Sequence, residues 1–316
     1  GVQTCALPIS KGPRCVGGSG AVAAVRDGIV TRVVTGLPSF DQGGDVFGPE
    51  HAVLLANGEL LVTVGLAADT DARTNVPGSF GDLMGTIVRA HADGSTEVFA
   101  DLGAYEHANN PDGMDVNSGL ESNPYGIVLA PDGTLWATDA AGNDLLRIAG
   151  DGTIETEAVF HVRMVPPPRA DATDASGAPI LLPMQSVPTG MTIGPDGALY
   201  VTQFTGVPSP PGGARVARIV AGQPPQLYGF GLTNAMDLAF GPDGTLYVVE
   251  FAVNGRTSGD PTGAIVAIPP GGGPGIVIAT EGIVHPGGIA VDSAGTILVT
   301  NSSEGPDGGQ LLAIRP

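Results

Sequence analysis

Short apolar runs alternate with glycine-containing turns along most of the chain. Five windows of fifteen residues align on one glycine, and in each window an apolar pair begins two residues after that glycine. An apolar run that stops at a glycine and then resumes predicts a β-hairpin, because glycine takes the positive φ that a tight turn demands. The windows start at Glu50, Tyr125, Thr189, Met236 and Gly287, and their aligned glycines are Gly58, Gly133, Gly197, Gly244 and Gly295.

A second, more amphipathic hairpin follows each of the first four windows. The turns of these second hairpins are expected at Gly94, Gly152, Gly222 and Gly271. Two hairpins per repeat make a four-stranded unit, and repeated units of this kind form the blades of a β-propeller. The pattern therefore predicts an all-β chain, a six-bladed β-propeller with four-stranded antiparallel blades.

The two ends of the chain break the repeat. Residues 20–38 form an outer hairpin with no inner hairpin before it, and residues 309–316 supply a third strand without a fourth. We therefore expect one propeller domain over residues 11–316 whose first blade is incomplete. Residues 1–10 lack a start methionine and any periodicity, so we interpret them as a non-native leader and leave Cys5 out of structural reasoning.

Composition narrows the possible functions. The 316 residues include 50 glycines and 28 prolines, yet the hydrophobic fraction of 42% is enough to build a core. A net charge of −19 disfavours nucleic acid as a partner, and no apolar run is long enough for a membrane helix. The acidity indicates either a solvated, repulsive surface or a face that collects cations. Cys15 is either half of a disulfide or a free thiol.

Two insertions interrupt the period. Residues 101–122 are predicted to begin with a helical turn over residues 102–107, and residues 162–184 form a Pro- and Ala-rich surface excursion without chemically notable residues. The 112–117 segment, DGMDVN, weakly resembles a calcium loop, although turns alone also favour Asn, Asp and Gly. The sequence contains no recognisable catalytic motif, and we assign no catalytic residue.

Polar residues recur where the first strand of a window starts and where the second strand ends. In a propeller these two positions lie on one face, around the central channel. Converging oxygens suit a small polar ligand or a hard cation such as Ca²⁺, whereas the alternative is that they only cap strand ends. The candidate ligand-binding residues are Glu50, His51, Asn123, Asp139, Thr189, Gln203, Asn234, Asp237, Glu250, His285 and Asn301, with Asn123, Asp139, Asp237 and Glu250 as the metal ligands.

Several segments resemble the ScyD/ScyE family, and the hairpins resemble those of NHL- and SMP-30-like propellers. The most specific are ANNPDG at residues 108–113 and SNPYG at residues 122–126. The resemblance implies an extracellular or periplasmic protein and a lost disulfide partner for Cys15. Because no catalytic motif is present, we favour a binding or scaffold protein, monomeric when full length, whose channel face takes a small polar molecule or a protein. The alternative is a metal-dependent SMP-30-like lactonase or a streptogramin-lyase-like enzyme.

Overall fold

Each of the five windows folds into the predicted hairpin. In the second of them, Ala130 N–H donates to Thr134 O at 2.8 Å and Gly133 N–H donates to Ala130 O at 2.9 Å. Gly133 has a φ of 89°, and the other four aligned glycines have φ values of 79° to 88°. Asp132 Oδ1 accepts from Thr134 N–H, which explains why aspartate precedes the glycine.

The computed structural model describes residues 4–9, 12–42, 45–76, 78–113, 115, 119–167, 173–303 and 309–315. The chain divides into two compact units, Gly1–Thr156 and Glu157–Pro316. The strands that begin in the first unit are β1 (Thr4–Ile9), β2 (Gly12–Arg26), β3 (Ile29–Gln42), β4 (Asp45–Phe47), β5 (Pro49–Leu54), β6 (Leu60–Val64), β7 (Ala68–Asp69), β8 (Thr86–Ala90), β9 (Thr96–Asp101), β10 (Glu121–Ser122), β11 (Pro124–Leu129), β12 (Leu135–Asp139), β13 (Asp144–Ile148) and β14 (Ile154–Val159).

The second unit continues the same repeat. Its strands are β15 (Arg163–Val165), β16 (Leu182–Met184), β17 (Pro188–Ile193), β18 (Leu199–Gln203), β19 (Ala214–Ile219), β20 (Gln226–Leu232), β21 (Ala235–Phe240), β22 (Leu246–Glu250), β23 (Ala264–Ile268), β24 (Gly273–Pro274), β25 (Ile276–Ala279), β26 (Gly288–Val291), β27 (Ile297–Asn301) and β28 (Gln310–Ile314).

Six larger sheets follow one another along the chain. Their strand orders are β1-β2-β3-β4, β5-β6-β8-β9, β11-β12-β13-β14, β17-β18-β19-β20-β24, β21-β22-β23-β25 and β26-β27-β28, and β7-β10 and β15-β16 form two-stranded sheets. The six larger sheets are the blades of a six-bladed β-propeller, as the repeat predicted. The division into two compact units leaves the single domain over residues 11–316 a prediction.

Among the described residues, helical structure occurs in the connections between strands. The helices are α1 (Phe80–Leu83) and α2 (Leu102–Asn109), with 3₁₀ turns at Thr70–Asn75 and Arg256–Ser258. The helical turn predicted over residues 102–107 is thus confirmed as α2, which Asp101 caps by accepting from Ala104 N–H at 2.8 Å. None of the helices in the described ranges has the length and apolar character needed to cross a bilayer.

Buried threonines tie successive sheets together. Thr63 Oγ1 donates to Tyr125 O at 2.6 Å in the first unit, and Thr202 Oγ1 donates to Met236 O at 3.2 Å in the second. Both threonines lie on the second strand of a window and are fully buried. Around them, apolar side chains of neighbouring sheets form shared clusters, such as the one that includes Leu61 and Ile148. Contacts with the neighbouring sheet therefore stabilise a blade in addition to its own strand pairing.

The N-terminal sheet departs from the repeat. Strand β1 pairs with residues 12–16 of β2, with Cys5 opposite Cys15, and β4 pairs with residues 40–42 of β3. Between these regions, residues 21–34 form a hairpin that no other described strand pairs with. The leader assignment stays a prediction, and residues 1–3 and 10 lie outside the described part of the chain. At the other end, β26-β27-β28 has three strands, as expected.

Replacing Gly133 with alanine is expected to destabilise the folded chain by about 1–2 kcal/mol. The cost comes from the left-handed backbone, since no atom lies within 4 Å of a Cβ at this position. Urea unfolding measures the difference. Gly150→Ala is the matched control because Gly150 is also free of neighbours but lies outside the left-handed region. Equal losses in both variants would contradict the turn assignment.

Replacing Val30 with lysine is expected to reduce self-association. Val25, Ile29, Val30 and Val33 are exposed on the unpaired hairpin, and bare apolar edges promote pairing between chains. Light scattering at increasing protein concentration is the measurement, with Leu54→Lys as the control at an exposed leucine on β5. An equal effect of both substitutions would show that the hairpin edge is not responsible.

Candidate functional site

The Asp139 carboxylate, at the end of β12, accepts hydrogen bonds from groups at both ends of its hairpin. Its carboxylate accepts from Asn123 N–H at 2.6 Å, from Ser122 Oγ and from the N–H groups of Ala141 and Gly142 at 3.1 and 3.0 Å. The residue is buried, which raises its pKa, while these donors act in the opposite direction. These four hydrogen bonds connect the end of β12 to the residues just before β11 and to the turn after β12.

Two predicted site residues in the second unit occupy the same position. Glu250 Oε1 accepts from Thr233 N–H at 2.7 Å, and Asn301 Oδ1 accepts from Val284 N–H at 2.7 Å. Burial raises the pKa of Glu250 to about 7, and the Thr233 hydrogen bond opposes that shift. These side chains therefore cap strand ends in the way that the alternative interpretation described.

Asp237 binds the backbone with both carboxylate oxygens. Oδ1 accepts from Leu238 N–H and Oδ2 accepts from Ile289 N–H, both at 2.9 Å, so the side chain joins β21 to β26. Gly190 lies against this carboxylate, and any Cβ there would collide with Asp237. Thr189 Oγ1 contacts Thr202 Oγ1 at 3.0 Å and donates to Ala235 O at 3.1 Å.

The remaining predicted residues also sit at strand ends. Glu50 and Asn123 place side-chain oxygens beside Gly65, and burial raises the pKa of Glu50 to about 7. The ring of His51 lies 5.3 Å from that of Tyr125. Elsewhere, His285 stacks on Phe251 at 4.4 Å, Asn234 bonds to three loop groups, and Gln203 is buried with an Oε1 that has no described partner.

The four predicted metal ligands belong to different units, Asn123 and Asp139 to the first and Asp237 and Glu250 to the second. The carboxylates of the three acidic residues among them each accept at least one backbone hydrogen bond. Among the described residues, no three His, Cys, Asp or Glu side chains are grouped so that they would hold a metal ion. Metal binding by these four residues stays a prediction. In the 112–117 segment, residues 114, 116 and 117 lie outside the described residues.

A cleft of about 590 Å³ lies within the second unit. Its walls come from β15, from β19 and the loop before it, and from β20. The lining residues are Arg163, Val165, Pro166, Pro210, Pro211, Gly212, Gly213, Arg215, Leu227, Phe230 and Gly231. Leu227 and Phe230 are exposed, so the cleft offers apolar surface beside two guanidinium groups.

Neither arginine of the cleft has an acidic partner among the described residues. Arg163 Nη2 donates to Gly213 O at 2.6 Å, and its Nε is buried without a partner in the described structure. Burial, together with the charge of Arg215, lowers the pKa of Arg163 to about 10. Arg73, Arg147 and Arg218, by contrast, each form an ion pair with a carboxylate.

This cleft differs from what the sequence predicts. Arg163 and Val165 lie in the 162–184 insertion, for which the sequence predicts a surface excursion without chemically notable residues, and residues 168–172 of that insertion are not described. The structure pairs the ends of the insertion as β15 and β16. No sequence signal singled out the cleft, since Arg163 stands in no recognisable motif.

Comparison with solved structures supports the fold. A chain of a nidogen/laminin complex has a TM-score of 0.52 and 14% identity, with coverage of 91% of this chain and 84% of that chain. A putative gluconolactonase has a TM-score of 0.51 and 16% identity over 93% and 79%. Virginiamycin B lyase from Staphylococcus aureus has a TM-score of 0.50 and 16% identity over 85% and 70%.

The chain has a β-propeller fold. These neighbours include a lyase, a putative lactonase and a chain of a laminin complex, and at such identities they share architecture rather than activity. No protein-family model and no curated protein sequence matches the chain. The propeller prediction is thus confirmed, and membership of the ScyD/ScyE family stays a prediction.

Replacing Glu250 with glutamine is expected to flatten the pH dependence of stability. The pKa of Glu250 rises from 4.5 to about 7 on folding, so the folded chain binds its proton more tightly than the unfolded chain does. Stability contributed by the protonated form is therefore lost as the pH rises between these values, by about 3 kcal/mol at most.

Unfolding free energies at pH 4.5, 6 and 8 measure this effect, because glutamine still accepts from Thr233 N–H but does not titrate. Glu281→Gln, at an exposed position, is the control and should keep the wild-type pH dependence. A Glu250→Gln profile parallel to that of the wild type would refute the assigned shift.

Proposed function

We propose that the chain is an exported binding or scaffold propeller of the ScyD/ScyE type, with its binding site in the Arg163–Arg215 cleft. Its ligand carries a carboxylate or similar anion on an apolar body. The observation that carries this proposal is the pair of guanidinium groups without acidic partners among the described residues.

The overall charge makes this pair significant. Acidic residues outnumber basic ones 32 to 13, so each arginine has many carboxylates available as ion-pair partners. Arg218, for example, lies 2.7 Å from Asp196. Holding two like charges in one cleft without compensation is unfavourable, and an anionic ligand removes that cost. Arginine also offers a planar set of donors that matches a carboxylate in two hydrogen bonds.

The apolar walls define the rest of the ligand. Leu227 and Phe230 are 57% and 44% exposed, and three prolines also line the cleft. A cleft of about 590 Å³ falls within the usual size range of small-molecule sites. The ligand class is therefore an amphipathic organic acid or an acidic peptide end with an apolar side chain.

The scaffold interpretation also draws support from the strand ends. The carboxylates of Asp139, Asp237 and Glu250 accept hydrogen bonds from backbone N–H groups. A metal-dependent enzyme at this face would need those oxygens as ligands. The alternative, an SMP-30-like lactonase or streptogramin-lyase-like activity, draws on Glu50, whose pKa of about 7 suits proton transfer near neutral pH.

We expect 2-naphthoate to bind the chain and its uncharged analogue 2-naphthamide to bind at least tenfold more weakly. Arg163→Gln and Arg215→Gln should each weaken naphthoate binding about tenfold, because each removes one charge-assisted contact worth ~1.4 kcal/mol or more. Titration calorimetry measures both ligands on the full chain.

Arg315→Gln is the matched control, because Arg315 is exposed and lies outside the cleft. Arg163→Lys separates charge from geometry, since lysine keeps the charge but loses the planar fork. Equal affinity for the acid and the amide, or loss of binding in Arg315→Gln as well, would disprove the site. Hydrolysis of a sugar lactone that is abolished by Glu50→Gln would favour the enzymatic alternative.

A further inference from the structure

Four buried carboxyl groups surround the turn between β12 and β13 in the first unit. Glu106 comes from α2, Asp112 from the segment after α2, and Asp139 and Asp144 from the two sides of the turn. Each has at most 2% of its surface exposed. Burying a carboxylate is unfavourable unless it is paired, hydrogen-bonded or protonated, so each group needs a partner.

Two of the four groups have such partners. Asp139 accepts from the backbone and from Ser122, as described above. Asp112 Oδ2 accepts from Asn143 Nδ2 at 2.9 Å, and Asn143 itself has a positive φ of 53°. The turn is thus held in shape by its own hydrogen bonds, independently of the other two carboxyl groups.

The other two groups, Glu106 and Asp144, have carboxylate oxygens that no donor in the described structure contacts. Both Oδ1 and Oδ2 of Asp144, and Oε1 of Glu106, are buried without a hydrogen-bond partner. Glu106 approaches the turn closely, because a Cβ on Gly142 would lie 3.0 Å from Glu106 Oε2 and 3.3 Å from Asp139 Cγ. Buried, unpartnered oxygens on a turn of fixed shape are what a ligand is expected to satisfy.

The cluster has no compensating positive side chain among the described residues. Burial, Asp139 and Asp112 raise the pKa of Glu106 to about 8. Burial and the charges of Asp139, Glu106 and Asp112 raise the pKa of Asp144 well above its usual range. No basic side chain of the described residues contributes to either shift. Either protons or a cation must compensate this charge, and both act at the same oxygens.

We infer that Asp144 and Glu106 form a binding site for a hard divalent cation such as Ca²⁺. Asp144 offers two oxygens and Glu106 one, and carboxylate oxygens are the ligands that such an ion takes. The site is separate from the Arg163–Arg215 cleft and does not depend on it.

The test compares thermal unfolding of the full chain in millimolar calcium chloride and in EGTA. Calcium should raise the melting temperature of the wild type by about 5 °C if its concentration is about a hundredfold above the dissociation constant. Asp144→Asn and Glu106→Gln should each raise the melting temperature in EGTA, by relieving repulsion, and should abolish most of the calcium-dependent rise.

A second measurement uses Tb³⁺ as a probe of the same site. Trp136, the only tryptophan of the sequence, lies on β12 three residues before Asp139, so its excitation should sensitise luminescence of bound terbium. Calcium should displace the terbium signal, and both variants should reduce it at least tenfold.

Asp82→Asn and Glu281→Gln are the controls, since both residues are exposed and lie away from the turn. They should keep the wild-type calcium response. A wild type that shows no rise in melting temperature with calcium, or a rise that survives in both Asp144→Asn and Glu106→Gln, would overturn the proposal.

Discussion

The fold depends on satisfying polar groups at the ends of strands that are buried on both faces. Strands such as β12, β18 and β22 are buried at every residue, so the backbone N–H groups beside them have little access to water. Asp139, Glu250 and Asn301 solve this problem in the same way, by accepting from an N–H near the start of the same hairpin. The repeated polar residue at this position is thus first a structural requirement.

This constraint gives several of the acidic side chains a structural role. A carboxylate such as Asp139 or Asp237 is fixed by the backbone and contributes to the architecture. The turns use aspartate similarly, since Asp132 accepts from Thr134 N–H. Much of the negative charge that seemed available to collect cations is therefore already engaged in hydrogen bonds within the fold.

The groups of functional interest are the charged side chains that have no compensating partner among the described residues. Arg163 and Arg215 bring positive charge into a cleft without an acidic partner among the described residues, and Asp144 and Glu106 bring negative charge into the protein without a donor. An external partner of opposite charge lowers the free energy in both places. The two proposed sites therefore have the same physical basis, an uncompensated charge, which is positive in the cleft and negative at the turn.

The sequence alone determined the blades, because their signal is local. A glycine such as Gly133 must take a positive φ, the apolar runs beside it must pair, and the cap at Asp101 starts α2 within the next residues. Only the tertiary structure brought Glu106 to the turn of Asp144, and Arg163 to Arg215. These groups lie 38 and 52 residues apart, and their proximity depends on how insertions fold onto blades, for which the sequence carries no period.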